Sequence, residues 1–268
     1  MASAAPGRIR VGVGGWTYEP WRGVFFPDKL AQAKELAYAS SKLTAIEING
    51  TYYRTQAPST FAKWRSETPE GFVFSVKALR FTTNRKVLAE AGESVGKFVG
   101  SGLTELGPKL GPILWQFAPT KKFDPLDFGA FLALLPRTQD GVALRHAVEV
   151  RHDSFRTPEF IALARSHGVA VVYANGAGFP EIADPTADFI YARLQGTHEA
   201  VETGYKPEEL DHWTAVARDW AAGKSPEGLA YVDEPPPPAV ARDAFVYIIS
   251  GAKVRNPAAA QALIARLG

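Results

Sequence analysis

Two side chains of opposite charge lie two positions apart in an otherwise apolar segment, Ala147 to His152, with the sequence Ala-Val-Glu-Val-Arg-His. Because successive side chains of a strand alternate between its two faces, Glu149 and Arg151 would share one face, and Val148 and Val150 the other. If the valines pack under helices, both charges point into the space that the strands enclose. Charged groups rarely face inward unless they are paired or used for chemistry. The segment therefore predicts the floor of a polar pocket.

Strand and helix patterns alternate along the chain. Eight segments have the composition of strands, at 8–13, 44–48, 72–78, 112–117, 143–151, 169–175, 189–196 and 245–250. Helical composition lies between them at 28–40, 58–66, 95–110, 125–135, 157–167, 207–222 and 257–267. Eight strands alternating with helices over roughly 250 residues are typical of a (β/α)8 TIM-type barrel. A doubly wound open sheet shares the alternation but usually has fewer strands, and is the second interpretation.

No internal repeat or linker divides the sequence. We therefore expect a flexible N-terminus over residues 1–7 and a single TIM-barrel domain over residues 8–268. The barrel is expected to be irregular around its sixth helix, because the glycine-rich stretch 176–185 has little helical signal. The run Pro235 to Pro238 predicts a stiff polyproline connector between a helix and the last strand.

Composition narrows the class of protein. The 268 residues are 46% hydrophobic and 22% charged, which is ordinary for a globular protein, and a net charge of +2 gives no general preference for nucleic acid or membranes. The chain has no cysteine, so disulfides, thiolate catalysis and thiolate metal sites are excluded. The start lacks the pattern of a signal peptide, and no apolar run reaches about 18 residues. We expect a cytoplasmic protein.

Polar side chains occupy the last inward positions of six of the eight predicted strands. They are Glu47 with Asn49, Lys77, Gln116, Glu149 with Arg151, Tyr173 with Asn175, and Arg193 with Gln195. Active sites of TIM-type barrels lie at the carboxyl ends of the strands and on the loops that follow. Strand boundaries inferred from sequence shift by several residues, so each of these side chains has an alternative place on a surface loop. The convergence of six strands nevertheless predicts a site at this rim.

The predicted rim has more cations than carboxylates. The charged groups are Lys77, Arg151, Arg193 and loop residue Arg54, with Glu47 and Glu149. Arginine binds carboxylate or phosphate in a two-pronged geometry and lysine adds a point charge, so this rim favours a small anionic ligand. The glutamates would then act as general acid or base, or orient the arginines. An equal alternative is that Glu149 and Arg151 form a structural ion pair that holds neighbouring strands in register.

Aromatic side chains are concentrated in the first two loops of the predicted barrel. They are Trp16, Tyr18, Trp21, Tyr52 and Tyr53. Such walls suit a sugar ring or a nucleobase, or simply plug the top of the barrel.

Metal and cofactor signals are weak. His152 and His198 could join Glu47 and Glu149 around a divalent ion, but no closely spaced ligand motif supports this site, and a metal is not favoured. The glycines after the first strand lack the third glycine and the helix of a dinucleotide-binding motif. A phosphate-binding loop and a nucleophile elbow are also missing from the sequence, so no nucleotide cofactor is expected.

A series of motifs follows a fixed order along the chain. They are Gly14-Gly15-Trp16-Thr17-Tyr18, Trp21-Arg22-Gly23, Phe25-Phe26-Pro27, Glu47-Ile48-Asn49, Thr51-Tyr52-Tyr53-Arg54, Trp64 with Thr68-Pro69, Gly111-Pro112-Ile113-Leu114-Trp115-Gln116-Phe117, Val148-Glu149-Val150-Arg151-His152 and Tyr191-Ala192-Arg193-Leu194-Gln195-Gly196. This series resembles the YecE-like family, also called domain of unknown function family 72, and the resemblance spans nearly the whole chain. It implies a TIM-barrel fold but no activity, because none is established for the family.

The resemblance also implies which site residues match the family pattern. They are Glu47, Asn49, Tyr53, Arg54, Lys77, Gln116, Glu149, Arg151, His152 and Arg193. The chain departs from the pattern in three places. The family often has serine at the position of Gly15, a histidine soon after the lysine of the third strand, where this chain has Arg80-Phe81-Thr82-Thr83, and an asparagine-rich end of the last strand, where it has Ser250-Gly251-Ala252-Lys253.

Three hypotheses of function follow. The first is an enzyme that acts on a small anionic or phosphorylated substrate by acid–base chemistry, with Glu149, Glu47 and Lys77 as catalytic residues. Its substrate-binding residues would be Trp16, Tyr18, Asn49, Tyr52, Tyr53, Arg54, Gln116, Arg151, His152, Asn175, Arg193, Gln195 and His198. The second is a metal-dependent phosphodiester hydrolase that uses Glu149 and His198. The third is a non-catalytic binder of a metabolite or of a nucleic-acid end, although nucleic acid is the less favoured ligand.

Overall fold

Parallel strands form the main sheet of the computed structural model, which describes residues 6–176, 178–233 and 240–268. The strands are β1 Ile9–Gly14, β2 Ala45–Ile48, β3 Val73–Lys77, β4 Leu110–Gln116, β5 Thr138–Gln139, β6 Val142–Ala143, β7 His146–Glu149, β8 Ala170–Val171, β9 Tyr173–Asn175, β10 Phe189–Leu194 and β11 Asp243–Ile248. Within the described ranges, nine of them are hydrogen-bonded in the order β8-β7-β4-β3-β2-β1-β11-β10-β9.

Helices follow most of the strands. They are α1 Glu35–Lys42, α2 Pro58–Ser66, α3 Arg80–Thr83, α4 Gly92–Val99, α5 Pro125–Ala133, α6 Pro158–His167, α7 Pro207–Ala221 and α8 Asn256–Leu267. Thr157 caps the start of α6 by accepting a hydrogen bond from Phe160 N, and Gly168 ends that helix in the left-handed conformation. In the part of the chain that the structure describes, no helix combines the length and the apolar composition needed to cross a membrane.

One segment joins the two edges of the sheet. Val172 alone separates β8, which pairs with β7, from β9, which pairs with β10. The amide of Val172 donates to the carbonyl oxygen of Val148 at 3.0 Å, so the pairing with β7 continues up to Val172. Residues 170–175 therefore act as the sixth strand of a TIM-type barrel, and the predicted barrel fold is confirmed.

Apolar side chains pack on both faces of the strands. Between strands and helices lies the larger cluster, which includes Val11, Val148 and Val150. The lumen holds a smaller cluster in which alanines such as Ala45 and Ala147 face large rings. Ser75 and Tyr247 share a hydrogen bond of 2.6 Å across the lumen, from β3 to β11. The lumen is therefore a packed core, and ligands have access only near its ends.

Some predicted element boundaries were wrong. The helix predicted over 28–40 begins later, because residues 28–34 form turns and a short 3-10 helix before α1. The helix predicted over 95–110 ends at Val99, and Gly102, with φ of +100°, leads into a 3-10 stretch that contains Pro108. The small β5–β6 hairpin was not predicted. The predicted polyproline connector Pro235–Pro238 and residues 1–5 of the predicted N-terminal segment lie outside the described residues.

Close packing of β1 on β2 depends on Gly12. A Cβ atom at this position would lie 1.9 Å from the carbonyl oxygen of Ala45. We expect Gly12→Ala to lower the free energy of unfolding by at least about 2 kcal/mol, measured by urea denaturation. Gly50→Ala is the matched control, because a Cβ atom there meets nothing within 4 Å, and its effect should stay within about 0.5 kcal/mol. Equal stability of the two variants would contradict this packing.

Candidate functional site

The carboxyl ends of the strands bring a set of charged and amide side chains together. Lys77, Gln116 and Glu149 are the last residues of β3, β4 and β7, while Glu47 and Arg193 are the second-last residues of β2 and β10. All five are buried. Alternation along each strand places them on the same face as the lumen alanines and tyrosines, so they form the floor of the barrel mouth.

Arg193 links two carboxylates that belong to different strands. Its Nε donates to Glu47 Oε2 at 3.1 Å, its Nη2 donates to Glu47 Oε1 at 3.0 Å, and its Nη1 donates to Glu149 Oε2. The hydroxyl of Tyr191 donates to Glu47 Oε2 at 2.7 Å. Neither carboxylate has any solvent exposure, so the guanidinium supplies the charge that burial requires.

Further donors surround Glu149. Arg151 Nε donates to Oε1 at 2.7 Å, and Gln116 Nε2 lies 3.0 Å from both carboxylate oxygens. Burial alone raises the pKa of Glu149, but the charges of Arg193 and Arg151 and these hydrogen bonds outweigh it and lower the pKa to about 2. The two carboxylates in turn raise the pKa of Arg193 above its ordinary value, against the effect of burial. Glu149 is therefore a permanently ionised group and a weak base.

Lys77 has different surroundings from the two arginines. Its side chain is buried, and its Nζ lies 4.1 Å from the centre of the Tyr52 ring. Among the described residues, no carboxylate lies within 4 Å of this ammonium group. Burial and the nearby charge of Arg193 lower the pKa of Lys77 to about 8, although Glu47 and Glu149 act in the opposite direction. Lys77 can therefore exchange a proton near neutral pH.

Two adjoining cavities open above this floor. The outer cavity, of about 320 Å³, is lined by Gly14, Gly15, Trp16, Thr17, Tyr18, Asn49, Gly50, Tyr52, Tyr53, Lys77 and Lys253. The inner cavity, of about 240 Å³, is lined by Gly14, Asn49, Lys77, Gln116, Arg151, Arg193, Ile249, Ser250, Lys253 and Asn256. Their shared lining is Gly14, Asn49, Lys77 and Lys253. A Cβ atom at Gly14 would lie 2.7 Å from Asn49 Nδ2, so a larger residue there would displace the Asn49 side chain.

Lys253 is a site residue that the sequence analysis did not select. It lies on the loop after β11, with its Nζ 4.1 Å from the centre of the Tyr18 ring. Trp21 Nε1 donates to its backbone carbonyl at 2.8 Å, which ties this loop to the first loop of the barrel. Burial lowers the pKa of Lys253. Its position in the sequence could have indicated a site residue, because Lys253 follows the last predicted strand by three residues. It lies in the stretch Ser250-Gly251-Ala252-Lys253, which departs from the family pattern.

Most of the residues selected from the sequence lie in this region. Those that form the floor or line the cavities are Trp16, Tyr18, Glu47, Asn49, Tyr52, Tyr53, Lys77, Gln116, Glu149, Arg151 and Arg193. Trp21, an aromatic wall candidate, is instead buried in the core and contacts Phe25 and Phe26. Arg54 is exposed and lines neither cavity.

The inward assignment of Tyr173 and Asn175 was wrong. The inner positions of this strand are Ala170, Val172 and Ala174, so the polar residues between them point outward. Tyr173 packs in the outer core, and its hydroxyl donates to Glu181 Oε2 at 3.0 Å. Asn175 Nδ2 donates to Glu181 Oε1 at 3.2 Å. These side chains form a separate polar group outside the barrel mouth.

Three other selected residues do not contact the charged floor. His152 Nδ1 forms a hydrogen bond of 2.8 Å with Ser154 Oγ, and His198 Nε2 lies 2.9 Å from Glu209 Oε1 beside α7. Gln195 is buried, and its Nε2 has no hydrogen-bond partner among the described residues.

A divalent metal does not fit the residues that were considered for it. Within residues 6–176, 178–233 and 240–268, no group of three His, Asp or Glu side chains is arranged to hold an ion. The position between Glu47 and Glu149, where an ion would bind, is occupied by the guanidinium of Arg193. His198 is directed to Glu209 instead.

The architecture defines an α/β barrel of TIM type with a charged floor at its carboxyl end. The family model described as "Protein of unknown function DUF72" matches residues 10–268, and the chain belongs to this family. The family suggested by the sequence motifs is thus confirmed.

Relatives and solved structures agree with this assignment. The UPF0759 protein YunF of Bacillus subtilis (strain 168) is 30% identical over 116 residues, which are 41% of this chain and 40% of that protein. A DUF72 family protein from Thermotoga maritima MSB8 is similar with a TM-score of 0.69 and 23% identity, over 96% of this chain and 97% of the other. One from Enterococcus faecalis V583 has a TM-score of 0.68 and 16% identity, over 98% and 99% of the two chains. These structures establish the fold alone.

Removal of the bridging guanidinium should unfold the barrel mouth. We expect Arg193→Met to lower the free energy of unfolding by about 3–5 kcal/mol, because Glu47 and Glu149 would be left buried without it. Urea denaturation measures the change. Arg266→Met breaks the exposed ion pair with Asp211 and should cost no more than about 1 kcal/mol. Similar losses in the two variants would contradict the bridging role.

The ionisation of Glu149 should also make the free energy of unfolding depend on pH. A lowered pKa in the folded protein stabilises it fully above about pH 4.5, and this stabilisation is lost as the pH falls toward 2. We expect Glu149→Gln to cost about 3 kcal/mol at neutral pH, and its difference from the natural protein to shrink between about pH 5 and pH 3. Urea unfolding at several pH values tests this. Glu93→Gln, which removes an exposed carboxylate paired with Lys97, should show little effect throughout.

Proposed function

We propose that this protein is an enzyme that binds a small anionic or phosphorylated substrate in the two cavities at the carboxyl end of the barrel, with Lys77 as its proton-transfer residue. The observation that carries the proposal is the place of Lys77, whose buried ammonium group borders both cavities and has no carboxylate within 4 Å among the described residues. A buried cation in such a place would be further stabilised by a bound anion.

The charges around the cavities support an anionic substrate. The inner cavity is lined by Lys77, Arg151, Arg193 and Lys253, and neither lining includes an aspartate or a glutamate. Glu47 and Glu149 lie beneath this surface with no solvent exposure. A bound carboxylate or phosphate would therefore meet cationic groups with little repulsion from acidic ones.

Lys77 is better suited to proton transfer than either glutamate. With a pKa of about 8, Lys77 is neutral in roughly a tenth of the molecules at pH 7, so both protonation states are accessible. Glu149 has every oxygen engaged by donors and a pKa of about 2. In this proposal Glu47 and Glu149 do not act as general acid or base. They hold Arg193 and Arg151 in position instead.

The aromatic walls would contact the uncharged part of the substrate. Trp16, Tyr18 and Tyr52 line the outer cavity and are only partly exposed. Trp16 packs edge-on against Trp64, with ring centroids 5.1 Å apart, which fixes the orientation of this wall. Such rings exclude water from the space beside Lys77 and suit a flat or ring-shaped substrate.

Anion binding should require the charge of Lys77. We expect Lys77→Met to weaken sulfate binding at least about tenfold in isothermal titration calorimetry, and Lys77→Arg to retain part of it. In the natural protein, sulfate affinity should fall as the pH rises through about 8, because the ammonium group loses its proton while sulfate keeps its charge. Lys97→Met removes an exposed lysine of α4 as the control. Affinity that is unchanged in Lys77→Met would contradict the proposal.

A test for product formation distinguishes an enzyme from a protein that only binds its ligand. Phosphorylated sugars, phosphorylated hydroxy acids and mononucleotides are incubated with the natural protein and with Lys77→Met, and products are followed by mass spectrometry. We expect one class to be converted by the natural protein, with a rate that follows a group titrating near pH 8, and Lys77→Met to lose at least about a hundredfold in rate. Tight binding without conversion of any compound would favour a non-catalytic binding protein.

A further inference from the structure

We propose that Lys253 and Lys77 form a two-lysine site that selects a doubly charged phosphoryl group, with the ring that bears it held in the outer cavity between Trp16, Tyr18 and Tyr52. This inference rests on the proposed function and names its substrate class as a ring-bearing phosphomonoester. It also assigns a specificity-determining role to Lys253, on the loop after the last barrel strand.

Two lysines beside the floor have no carboxylate partner in the described part of the chain, because the charges of the floor itself balance. Glu47 and Glu149 carry two negative charges, and Arg193 and Arg151 carry two positive charges that contact them directly. This group of four is neutral as a whole. Lys77 and Lys253 lie outside it, and among the described residues neither has a carboxylate within 4 Å. Two cations without partners beside one cavity match a ligand group with two negative charges.

Each of the two lysines lies over the face of a tyrosine beside the cavities. Lys77 Nζ lies 4.1 Å from the centre of the Tyr52 ring, and Lys253 Nζ lies 4.1 Å from the centre of the Tyr18 ring. Both lysines line both cavities. The tyrosine faces stabilise the ammonium groups in the absence of a ligand and keep them at the cavity edge. A phosphoryl group at the junction of the cavities would therefore lie beside both lysines.

The loop that carries Lys253 is fixed by hydrogen bonds. Trp21 Nε1 donates to the carbonyl of Lys253 at 2.8 Å. Asn256 Nδ2 donates to the carbonyl of Ser250 at 3.1 Å, and Thr197 Oγ1 donates to Asn256 Oδ1 at 2.9 Å. Asn256 is itself buried. These contacts hold the backbone on both sides of Lys253, so binding an anion orders only the lysine side chain.

The outer cavity is suited to one ring and little more. Its volume of about 320 Å³ lies at the lower end of the range for small-molecule sites, roughly 300–1,000 Å³. Aromatic side chains form its wall, and Asn49 supplies a polar group next to the lysines. A sugar ring or an aromatic ring with one phosphoryl group fits this combination, whereas a long polymer would have to pass beyond the lined space.

Two probes with the same ring and different charges test the inference. Phenyl phosphate is a dianion at pH 7.5, because the second pKa of a phosphomonoester is about 6, and benzenesulfonate has a single charge. Calorimetric titration of each probe compares the natural protein with Lys253→Met, Lys253→Arg and Lys224→Met. Lys224 forms an exposed ion pair with Asp219 beyond the end of α7, so its substitution removes the same charge away from the cavities.

We expect Lys253→Met to weaken phenyl phosphate binding about tenfold and benzenesulfonate binding less than about threefold. Lys253→Arg should restore most of the preference, and Lys224→Met should leave both affinities unchanged. Lys253 is an exposed residue, although its side chain is partly surrounded by protein, and the hydrogen bond from Trp21 Nε1 is accepted by its backbone carbonyl, so the variants should melt like the natural protein.

Other outcomes overturn the inference in distinguishable ways. If Lys77→Met weakens sulfate binding but Lys253→Met binds phenyl phosphate as the natural protein does, the two-lysine site is wrong and the proposed function stands. Equal weakening of both probes in Lys253→Met would show that Lys253 does not select by charge. If the natural protein binds neither probe nor sulfate, the proposed function and this inference both fail.

Discussion

The buried guanidinium of Arg193 is the constraint on which the barrel mouth depends. It crosses the lumen from β10 to carboxylates on β2 and β7, strands that lie on different sides of the closed sheet. Each carboxylate is fully buried and would be unstable without it. The ion pairs therefore fix the spacing of three strands at once, and the positions of Lys77 and Gln116 between those strands follow from it.

The consequence for chemistry is a separation of roles between two kinds of charge. Arg193 and Arg151 are occupied by carboxylates and keep the floor neutral, while the lysines at the cavity edge have no carboxylate within 4 Å among the described residues. In the absence of a ligand each lysine lies over a tyrosine ring, which partly offsets the lack of a carboxylate partner.

Much of the fold and part of the site could be predicted from the sequence, because alternation along a strand is a local property. The placement of Glu47, Glu149 and Arg193 in the lumen required only strand parity. Asn175 was misplaced, because the regular alternation of its strand puts the small apolar residues Ala170, Val172 and Ala174 inward, and the polarity of a residue does not by itself tell which face of a strand is the inner one. The ionised, unreactive state of Glu149 could not be predicted, since it depends on a partner 44 residues away. Lys253 was missed because it lies on a loop, where no regular alternation of side chains tells which residues face the barrel mouth.

The pairing of β1 with β11 has a consequence for the order in which this protein can form. Ile9 lies opposite Ala244, so β1 finds one of its two neighbours only after β11 has been synthesised. Until then one edge of the growing sheet has unpaired backbone groups. The lumen ion pairs also form late, since Arg193 is synthesised long after Glu47. Closure of the barrel and neutralisation of its buried carboxylates are thus late events in the life of the nascent chain.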